Sequence, residues 1–367
     1  MIPVNTPLLN GNEKKYLIEC IDTGWISSEG PFIKKFEEQF AQKVGRKYGI
    51  AVSNGSVALD AAVLALGIQP GDEVIMPTFT IISCAAAIVR AGAIPVLVDS
   101  DSDTWNMNVN LVEEKITPKT KAIMLVHIYG LPVDMDPILA LARKYNLKVI
   151  EDAAEMHGQT YNGKPCGSFG DISTFSFYPN KHITTGEGGM IMTDDPELAE
   201  KCRSLRNLCF IPEKRFVHHE LGYNFRMTNL QAALGLAQLE QLDDFVVRKR
   251  AMGKRYTDRL QAIKEIEIPV PATSYAQNIY WVFGIVTQSE EVTNEVVKKL
   301  GEKKIGTRPF FWCMHEQPVF QKAGLFKNEH YPVAEKIARQ GFYVPSGLGL
   351  SNEEIDIVCD NVETFFK

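Results

Sequence analysis

Residues 176–189 read SFYPNKHITTGEGG, and they close an apolar, β-prone run, DISTFSFYP (171–179). A single lysine, Lys181, follows the proline, and a glycine cluster with one acidic residue comes next. A lysine in a loop is usually a solvated charge, and GEGG alone is typical of a tight turn. The sequence has no GxxxxGK[ST] phosphate loop. What Lys181 does therefore depends on the residues that the fold gathers around it.

Apolar β-prone runs alternate with helical patterns over the first two thirds of the chain. The predicted strands are GIAVS (49–53), DEVIMP (72–77), IPVLVD (94–99), KAIMLVHIYG (121–130), LKVIEDA (147–153), DISTFSFYP (171–179) and GGMIMTD (188–194). The predicted helices lie at 57–68, 85–93, 135–146 and 196–207. Near-continuous apolar strands are typical of parallel sheets that are covered on both faces. The pattern predicts an α/β fold with a mostly parallel sheet between helices.

A long helical stretch from Asn229 to about Ile263 is predicted to lead out of this first domain. The chain then restarts with YWVFGIVT, TNEVVKKLGEKKI, TRPFF and a terminal amphipathic helix. These elements predict a smaller C-terminal α/β domain. We place the large domain, with the N-terminal segment, at 1–245 and the small domain at 246–367.

Composition narrows the function classes. The formal charge of −6 over 367 residues argues against a nucleic-acid-binding surface or a polybasic membrane patch. No apolar run reaches the length of a membrane span, and the N-terminus lacks the pattern of a signal peptide. The 7 cysteines are scattered without a CxxC pair, which favours reduced thiols and no structural metal. We therefore expect a cytoplasmic protein that binds neither nucleic acid nor membrane.

Polar residues collect where several predicted strands end. Asn54-Gly55-Ser56 stands before a helix, where backbone N–H groups and a hydroxyl suit a phosphate. Glu151-Asp152 ends another strand, and Ser176 and Lys181 follow a third. Ligands bind at this edge of an open α/β sheet. Together these residues indicate pyridoxal phosphate, because they offer a binding site for its phosphate, an acid for its pyridine nitrogen and a lysine for its electrophilic carbon.

Longer motifs resemble the DegT/DnrJ/EryC1/StrS family of sugar aminotransferases, and the resemblance runs nearly from end to end. The motifs are GWISSEGPFIKKFEEQFA, SNGSVALDAAVLALGI, GDEVIMPTFT, EDAAEMHG, GSFGDISTFSFYPNKHITTGEGG, GYNFRMTNLQAALGLAQLEQLD and RPFFWCMHEQPVF. The resemblance implies the aspartate-aminotransferase type of fold with pyridoxal 5'-phosphate as cofactor.

The resemblance also implies roles for individual residues. Lys181 matches the Schiff-base lysine, and Asp152 matches the partner of the pyridine nitrogen; these are the expected catalytic residues. The remaining cofactor-binding positions that match are Gly55, Ser56, Glu155, Ser176 and Asn224. Asn224 matches an asparagine that reaches the phosphate of the other subunit, which implies a homodimer with shared active sites. Many relatives carry an aromatic residue where this chain has Ile81, and we expect His182 only to pack.

Within the family, the resemblance is strongest to enzymes that aminate C4 of a GDP-linked 4-keto-6-deoxy sugar. It implies that L-glutamate is the amino donor and GDP-4-keto-6-deoxy-D-mannose the acceptor, with GDP-perosamine and 2-oxoglutarate as products. The GWISSEG and RPFFWCMHEQP segments offer hydroxyls, cations and aromatic faces suited to a nucleotide sugar. The candidate substrate-binding residues are Trp25, Ser27, Arg308 and His315.

Three other functions remain open at this point. A UDP- or dTDP-linked 4-keto-6-deoxyglucose would require the same chemistry and give a viosamine-type product. A sugar 3-dehydratase of the same family would replace the lysine by histidine, whereas this chain has Lys181. A non-catalytic, cofactor-binding regulatory protein would not need Lys181, Asp152, Ser176 and Asn224 together.

Overall fold

The computed structural model describes residues 1–211 and 213–367. Its helices are α1 (Glu13–Thr23), α2 (Pro31–Val44), α3 (Gly55–Ala65), α4 (Ile82–Arg90), α5 (Met135–Tyr145), α6 (Pro196–Arg206), α7 (Asn229–Leu239), α8 (Leu242–Leu260), α9 (Glu290–Glu302), α10 (Pro318–Lys322), α11 (Pro332–Gln340) and α12 (Asn352–Phe366). Its strands are β1 (Tyr48–Val52), β2 (Glu73–Pro77), β3 (Ile94–Val98), β4 (Thr120–Val126), β5 (Lys148–Asp152), β6 (Thr160–Tyr161), β7 (Lys164–Pro165), β8 (Ile172–Ser176), β9 (Gly189–Thr193), β10 (Ile266–Glu267), β11 (Phe283–Thr287), β12 (Arg308–Pro309) and β13 (Gly341–Val344).

The larger sheet has 7 strands in the order β1-β9-β8-β5-β4-β2-β3. The pairs β2–β3, β2–β4, β4–β5 and β5–β8 are parallel, whereas β9 runs antiparallel to both β1 and β8. Because β9 alone is reversed, β1, β2, β4, β5 and β8 all end at the same edge. The predicted α/β fold with a mostly parallel sheet is confirmed.

Both faces of this sheet are covered by apolar helices. On β4, Met124 packs in one hydrophobic cluster with α3, α4 and α6. Its neighbour Leu125 packs in a second cluster with α2, α5 and α7. Side chains that follow one another on a strand point to opposite faces, so a run that is apolar throughout is buried on both. This explains why the strands read as continuous apolar runs in the sequence.

The second sheet has the order β10-β11-β13-β12, with antiparallel neighbours, and it packs with α8, α9 and α12 around its own core. The helical stretch predicted from Asn229 onward is two helices, α7 and α8, which are separated at Glu240 and Gln241. The predicted domain boundary at 245/246 falls inside α8 and stays a prediction. Ile2 pairs with Ile305, so the first residues of the chain lie against the smaller sheet.

Of the helices that the structure describes, none combines the length and the apolar character that crossing a membrane would require. All 7 cysteines are buried as free thiols.

Glu151 and Asp152, adjacent at the end of β5, serve different sides of the sheet. Glu151 is fully buried and accepts hydrogen bonds from the backbone N–H groups of Gly167 and Phe169, the latter at 2.9 Å. His127 accepts a hydrogen bond at Nδ1 from the Val133 N–H, so its Nε2–H donates to Glu151 Oε1 at 3.0 Å. The carboxylate of Glu151 therefore ties β4 and β5 to the loop that precedes β8.

Replacing Glu151 by alanine should lower the free energy of unfolding by about 3 kcal/mol, because three buried donors would lose their acceptor. Denaturation in urea, followed by circular dichroism, measures this change. The matched control is Glu200→Ala, at an exposed position on α6, with an expected change within about 0.5 kcal/mol. Similar values for the two variants would contradict this structural role of Glu151.

Candidate active site

The carboxyl ends of β1, β4, β5 and β8 open onto a cavity of about 730 Å³. Six of the predicted cofactor-binding residues line this one cavity: Gly55, Ser56, Asp152, Glu155, Ser176 and Lys181. They come from separate parts of the chain and meet because the strands that carry them end at the same edge of the sheet. The cavity is therefore the candidate active site.

One end of the cavity is built by the start of α3. Asn54 caps the helix, and its side-chain oxygen accepts a hydrogen bond from the Val57 N–H at 3.0 Å. A Cβ added at Gly55 would lie 2.7 Å from the Cβ of Ser176, so only glycine allows α3 and β8 to approach this closely. Ser56 Oγ lies 2.7 Å from Ser83 Oγ. Helix-terminal N–H groups and several hydroxyls thus converge, a donor set that suits a phosphate.

Asp152 lies deep in the cavity, with 3% of its surface exposed. Its Oδ1 accepts a hydrogen bond from the Ala154 N–H at 3.0 Å, and its Oδ2 accepts one from the Cys84 thiol at 3.2 Å. Burial raises the pKa of Asp152 above its ordinary value. Among the described residues, Asp152 has no cationic partner within ion-pair distance. The nearby Lys181 is paired with Glu155 instead. A buried carboxylate of this kind suits a ligand that brings its own positive charge.

The side chain of Lys181 is 10% exposed, and its Nζ lies 3.7 Å from Glu155 Oε1. The same nitrogen stands 3.9 Å from the centre of the Trp281 ring, whose Nε1–H donates to the Asn180 carbonyl at 2.8 Å. Burial lowers the pKa of Lys181, although Glu155 and Asp152 act in the opposite direction. Burial also raises the pKa of Glu155, to about 8. The site therefore favours a neutral lysine amine more than water does, as a nucleophile or a general base requires.

The other predicted residues do not line the cavity of this chain. Trp25 and Ser27 are exposed, as are Asn224 and Arg308, the latter on edge strand β12. The segment with Asn224 pairs with the end of β1, where the Ser53 N–H donates to the Phe225 carbonyl at 2.8 Å.

His315 is buried, and both of its ring nitrogens are engaged. Nδ1 lies 2.9 Å from Thr78 Oγ1, and Nε2 lies 3.1 Å from Glu335 Oε1. A contact between this imidazole and a substrate would require one of these hydrogen bonds to break.

The structure adds residues in or beside the cavity that are not among the predicted site residues. Trp281 comes from the segment before β11, and Phe311 follows β12, so both belong to the later part of the chain. Cys84 reaches Asp152 from the first turn of α4. Ile81 does line the cavity, whereas His182 is buried beside the lysine. Single aromatic or cysteine residues give no local signal of such contacts.

A sequence profile described as the DegT/DnrJ/EryC1/StrS aminotransferase family matches residues 7–363. The chain belongs to this family. The resemblance predicted from the motifs is confirmed, and so is the assignment as an aminotransferase. Members of the family depend on pyridoxal phosphate, the cofactor predicted above.

Named relatives match over the whole length. The GDP-perosamine synthase of Escherichia coli O157:H7 is 46% identical over 100% of this chain and 99% of the relative. The GDP-perosamine synthase of Caulobacter vibrioides is 44% identical over 97% of this chain and 96% of the relative. The crystal structure of the aminotransferase TlmJ from Streptoalloteichus hindustanus has a TM-score of 0.93 at 30% identity, covering 100% of this chain and 98% of TlmJ. This similarity confirms the predicted type of fold.

The cavity fits pyridoxal phosphate on three independent grounds. The Gly55 turn leaves space and donors for the phosphate, and Asp152 is a buried carboxylate without an ion-pair partner among the described side chains. Lys181 presents a desolvated amine in the same cavity. The positions of these groups were predicted from the sequence, whereas their individual roles stay predictions.

Replacing Gly55 by alanine should weaken binding of pyridoxamine phosphate by about tenfold, because the added Cβ forces α3 away from Ser176. Titration of the full-length apoprotein, followed by tryptophan fluorescence, measures the dissociation constant. Gly301→Ala is the matched control, since a Cβ there meets nothing within 4 Å. An unchanged dissociation constant for Gly55→Ala would show that this turn does not hold the phosphate.

Proposed function

We propose that this chain is a nucleotide-sugar 4-aminotransferase that uses pyridoxal phosphate. It would transfer the amino group of L-glutamate to GDP-4-keto-6-deoxy-D-mannose and release GDP-perosamine and 2-oxoglutarate. The observation that carries the choice of sugar is the 46% identity with a GDP-perosamine synthase over the whole chain. The observation that supports transamination is the largely buried Lys181 amine in the same cavity as the Asp152 carboxylate.

When bound, pyridoxal phosphate would supply an electrophilic carbon that takes up the amino group of the donor and passes it to the acceptor, and a ring that withdraws electrons from that carbon. In this proposal Gly55, Ser56 and Ser176 would hold the phosphate, and Glu155 would lie near the ring oxygen. The Asp152 carboxylate would bind the protonated ring nitrogen and keep the proton there, because a buried carboxylate is stabilised by an adjacent positive charge.

Lys181 moves the protons in both half-reactions. Its neutral Nζ would remove the proton from the α-carbon of glutamate and pass it to the aldehyde-derived carbon of the cofactor. In the second half-reaction it would take a proton back from that carbon and deliver it to C4 of the sugar. Burial favours the neutral amine needed for the first step, and the neighbouring Glu155 stabilises the ammonium that forms. Trp281 covers the amine on another side and limits its access to water.

The acceptor is tested with purified full-length protein, L-glutamate and three sugars: GDP-4-keto-6-deoxy-D-mannose, UDP-4-keto-6-deoxyglucose and dTDP-4-keto-6-deoxyglucose. We expect kcat/KM, measured by release of 2-oxoglutarate, to be highest for the GDP sugar by at least about tenfold. Lys181→Ala is the control for background release. A higher kcat/KM for the UDP or dTDP sugar would overturn the acceptor but leave the aminotransferase. A product that has lost the C3 hydroxyl would indicate a dehydratase instead.

The substrate contacts and the domain division also belong to this proposal. Trp25, Ser27, Arg308 and His315 are the proposed contacts to the nucleotide sugar, with the large domain at 1–245 and the small domain at 246–367. We place the reaction in the cytoplasm, with no nucleic acid or membrane as partner.

The proposed assembly is a homodimer in which each active site includes Asn224 of the other subunit. Large apolar side chains are exposed on the segments that carry Trp25 and Asn224: Trp25 is 49% exposed, Phe216 83% and Leu221 90%. Exposed apolar side chains of this size favour a protein interface. Asn224 is exposed as well. Its side chain does not line the cavity of its own chain.

Mixing Lys181→Ala protein with Asn224→Ala protein should restore activity. In a hybrid dimer, the site that keeps Lys181 receives an intact Asn224 from the other subunit. Random exchange makes up to about half of the dimers hybrid, each with one complete site. A mixture of Lys181→Ala with Lys181→Arg, in which every site lacks the lysine, is the control. If exchange is demonstrated and activity stays at the control level, Asn224 does not act across the interface.

A further inference from the structure

Cys84 is in direct contact with the carboxylate that lies deepest in the cavity. Its sulfur is 3.2 Å from Asp152 Oδ2, and its side chain is fully buried in the first turn of α4. The opposite oxygen, Oδ1, accepts the Ala154 N–H at 3.0 Å. Each oxygen of Asp152 therefore has its own donor, and the two donors come from different elements of the fold.

The Cys84 thiol is held in its protonated form. Burial raises its pKa well above the ordinary value, and the nearby charge of Asp152 raises it further. A protonated thiol has one hydrogen to donate, and Asp152 is a stronger acceptor than Thr80 Oγ1, which lies 3.6 Å from the same sulfur. The S–H bond therefore points at Asp152, and the Thr80 hydroxyl, which also lines the cavity, donates to the sulfur from the other side.

Two donors on opposite oxygens fix the rotation of the Asp152 carboxylate about its Cβ–Cγ bond. Without them, this rotation is only weakly restricted. They also favour the ionised form, because both hydrogen bonds are made to the negative charge. Both effects matter for a carboxylate that has to meet a positively charged ring nitrogen in one orientation.

We propose that Cys84 is a positioning residue, which orients the Asp152 carboxylate toward the ring nitrogen of the cofactor and keeps it ionised. The proposal rests on the cofactor of the proposed function and assigns a role in it to a residue outside the family motifs recognised in the sequence. Cys84 touches neither the substrate nor the reacting atoms; its effect passes through Asp152.

The test compares two ligands of the full-length apoprotein. One is pyridoxamine phosphate, and the other is its 1-deaza analogue, in which a C–H replaces the ring nitrogen. Dissociation constants are measured by tryptophan fluorescence for the wild type, Cys84→Ala, Cys84→Val and Cys84→Ser. Valine fills the space without a donor, whereas serine keeps a hydroxyl donor. Cys202→Ala is the matched control, because Cys202 is fully buried in the same hydrophobic cluster.

We expect Cys84→Ala and Cys84→Val to bind pyridoxamine phosphate about tenfold more weakly than the wild type, the effect of losing one hydrogen bond to a charged group. Binding of the deaza analogue should be unchanged, since it has no ring nitrogen for Asp152 to meet. Cys84→Ser should stay within about twofold of the wild type for both ligands.

Equal losses for both ligands would overturn the proposal, because they would show that Cys84 only fills space. An unchanged affinity of Cys84→Val for pyridoxamine phosphate would overturn it as well. If the wild type binds neither ligand, the proposal that this protein uses pyridoxal phosphate is wrong, and so is the proposed role of Cys84. Thermal melting of each variant shows whether it is folded, and Cys84→Val replaces Cys84→Ala if the smaller side chain prevents folding.

Discussion

The site depends on one constraint: three ionisable groups are removed from water at one edge of the sheet. Asp152, Glu155 and Lys181 are all buried or nearly so, and each would be more stably ionised in solvent. Their mutual charges offset part of that cost: the carboxylates raise the pKa of the lysine, and the lysine lowers theirs. A ligand that brought a positive charge to Asp152 would offset more of this cost.

The fold meets this constraint through the direction of its strands. Because β4, β5 and β8 are parallel, their last residues face one space, and the period of two along β5 sends Asp152 to that space and Glu151 to the opposite face. Glu151 then uses its carboxylate to hold the neighbouring loop through backbone N–H groups. Of two adjacent acids, one thus holds a loop and the other faces the cavity.

The later part of the chain completes the site. Trp281 lies against Lys181, and the Phe310 side chain packs in the same hydrophobic cluster as helices α3 and α4. Lys249 on α8, fully desolvated, donates to the Trp281 carbonyl at 2.8 Å, and burial lowers its pKa to about 7. The smaller sheet is therefore joined to the larger one through the residues that shield the lysine amine. Movement between the two would change the surroundings of Lys181 directly.

The amino-acid sequence predicts the seven strands of the larger sheet, their mostly parallel arrangement and the polar residues at the strand ends. These predictions are possible because a strand that is buried on both faces has a continuous apolar sequence. The residue that follows such a strand also lies at a known edge of the sheet. Gly55, Asp152, Ser176 and Lys181 were found in this way and do meet in one cavity. The pattern after Asn229 predicts one continuous helical stretch, because the break at Glu240 and Gln241 contains neither glycine nor proline.

Which side chains surround these groups depends on long-range packing. Cys84 and Asp152 are 68 residues apart, and Trp281 and Asn180 are 101 residues apart. Neither pair has a spacing or motif that predicts contact, since each depends on how a helix or a second sheet packs against the first. The engagement of both nitrogens of His315 was equally invisible, because its partners Thr78 and Glu335 come from distant elements. Local sequence fixes what a strand ends with, but long-range packing determines what faces that end.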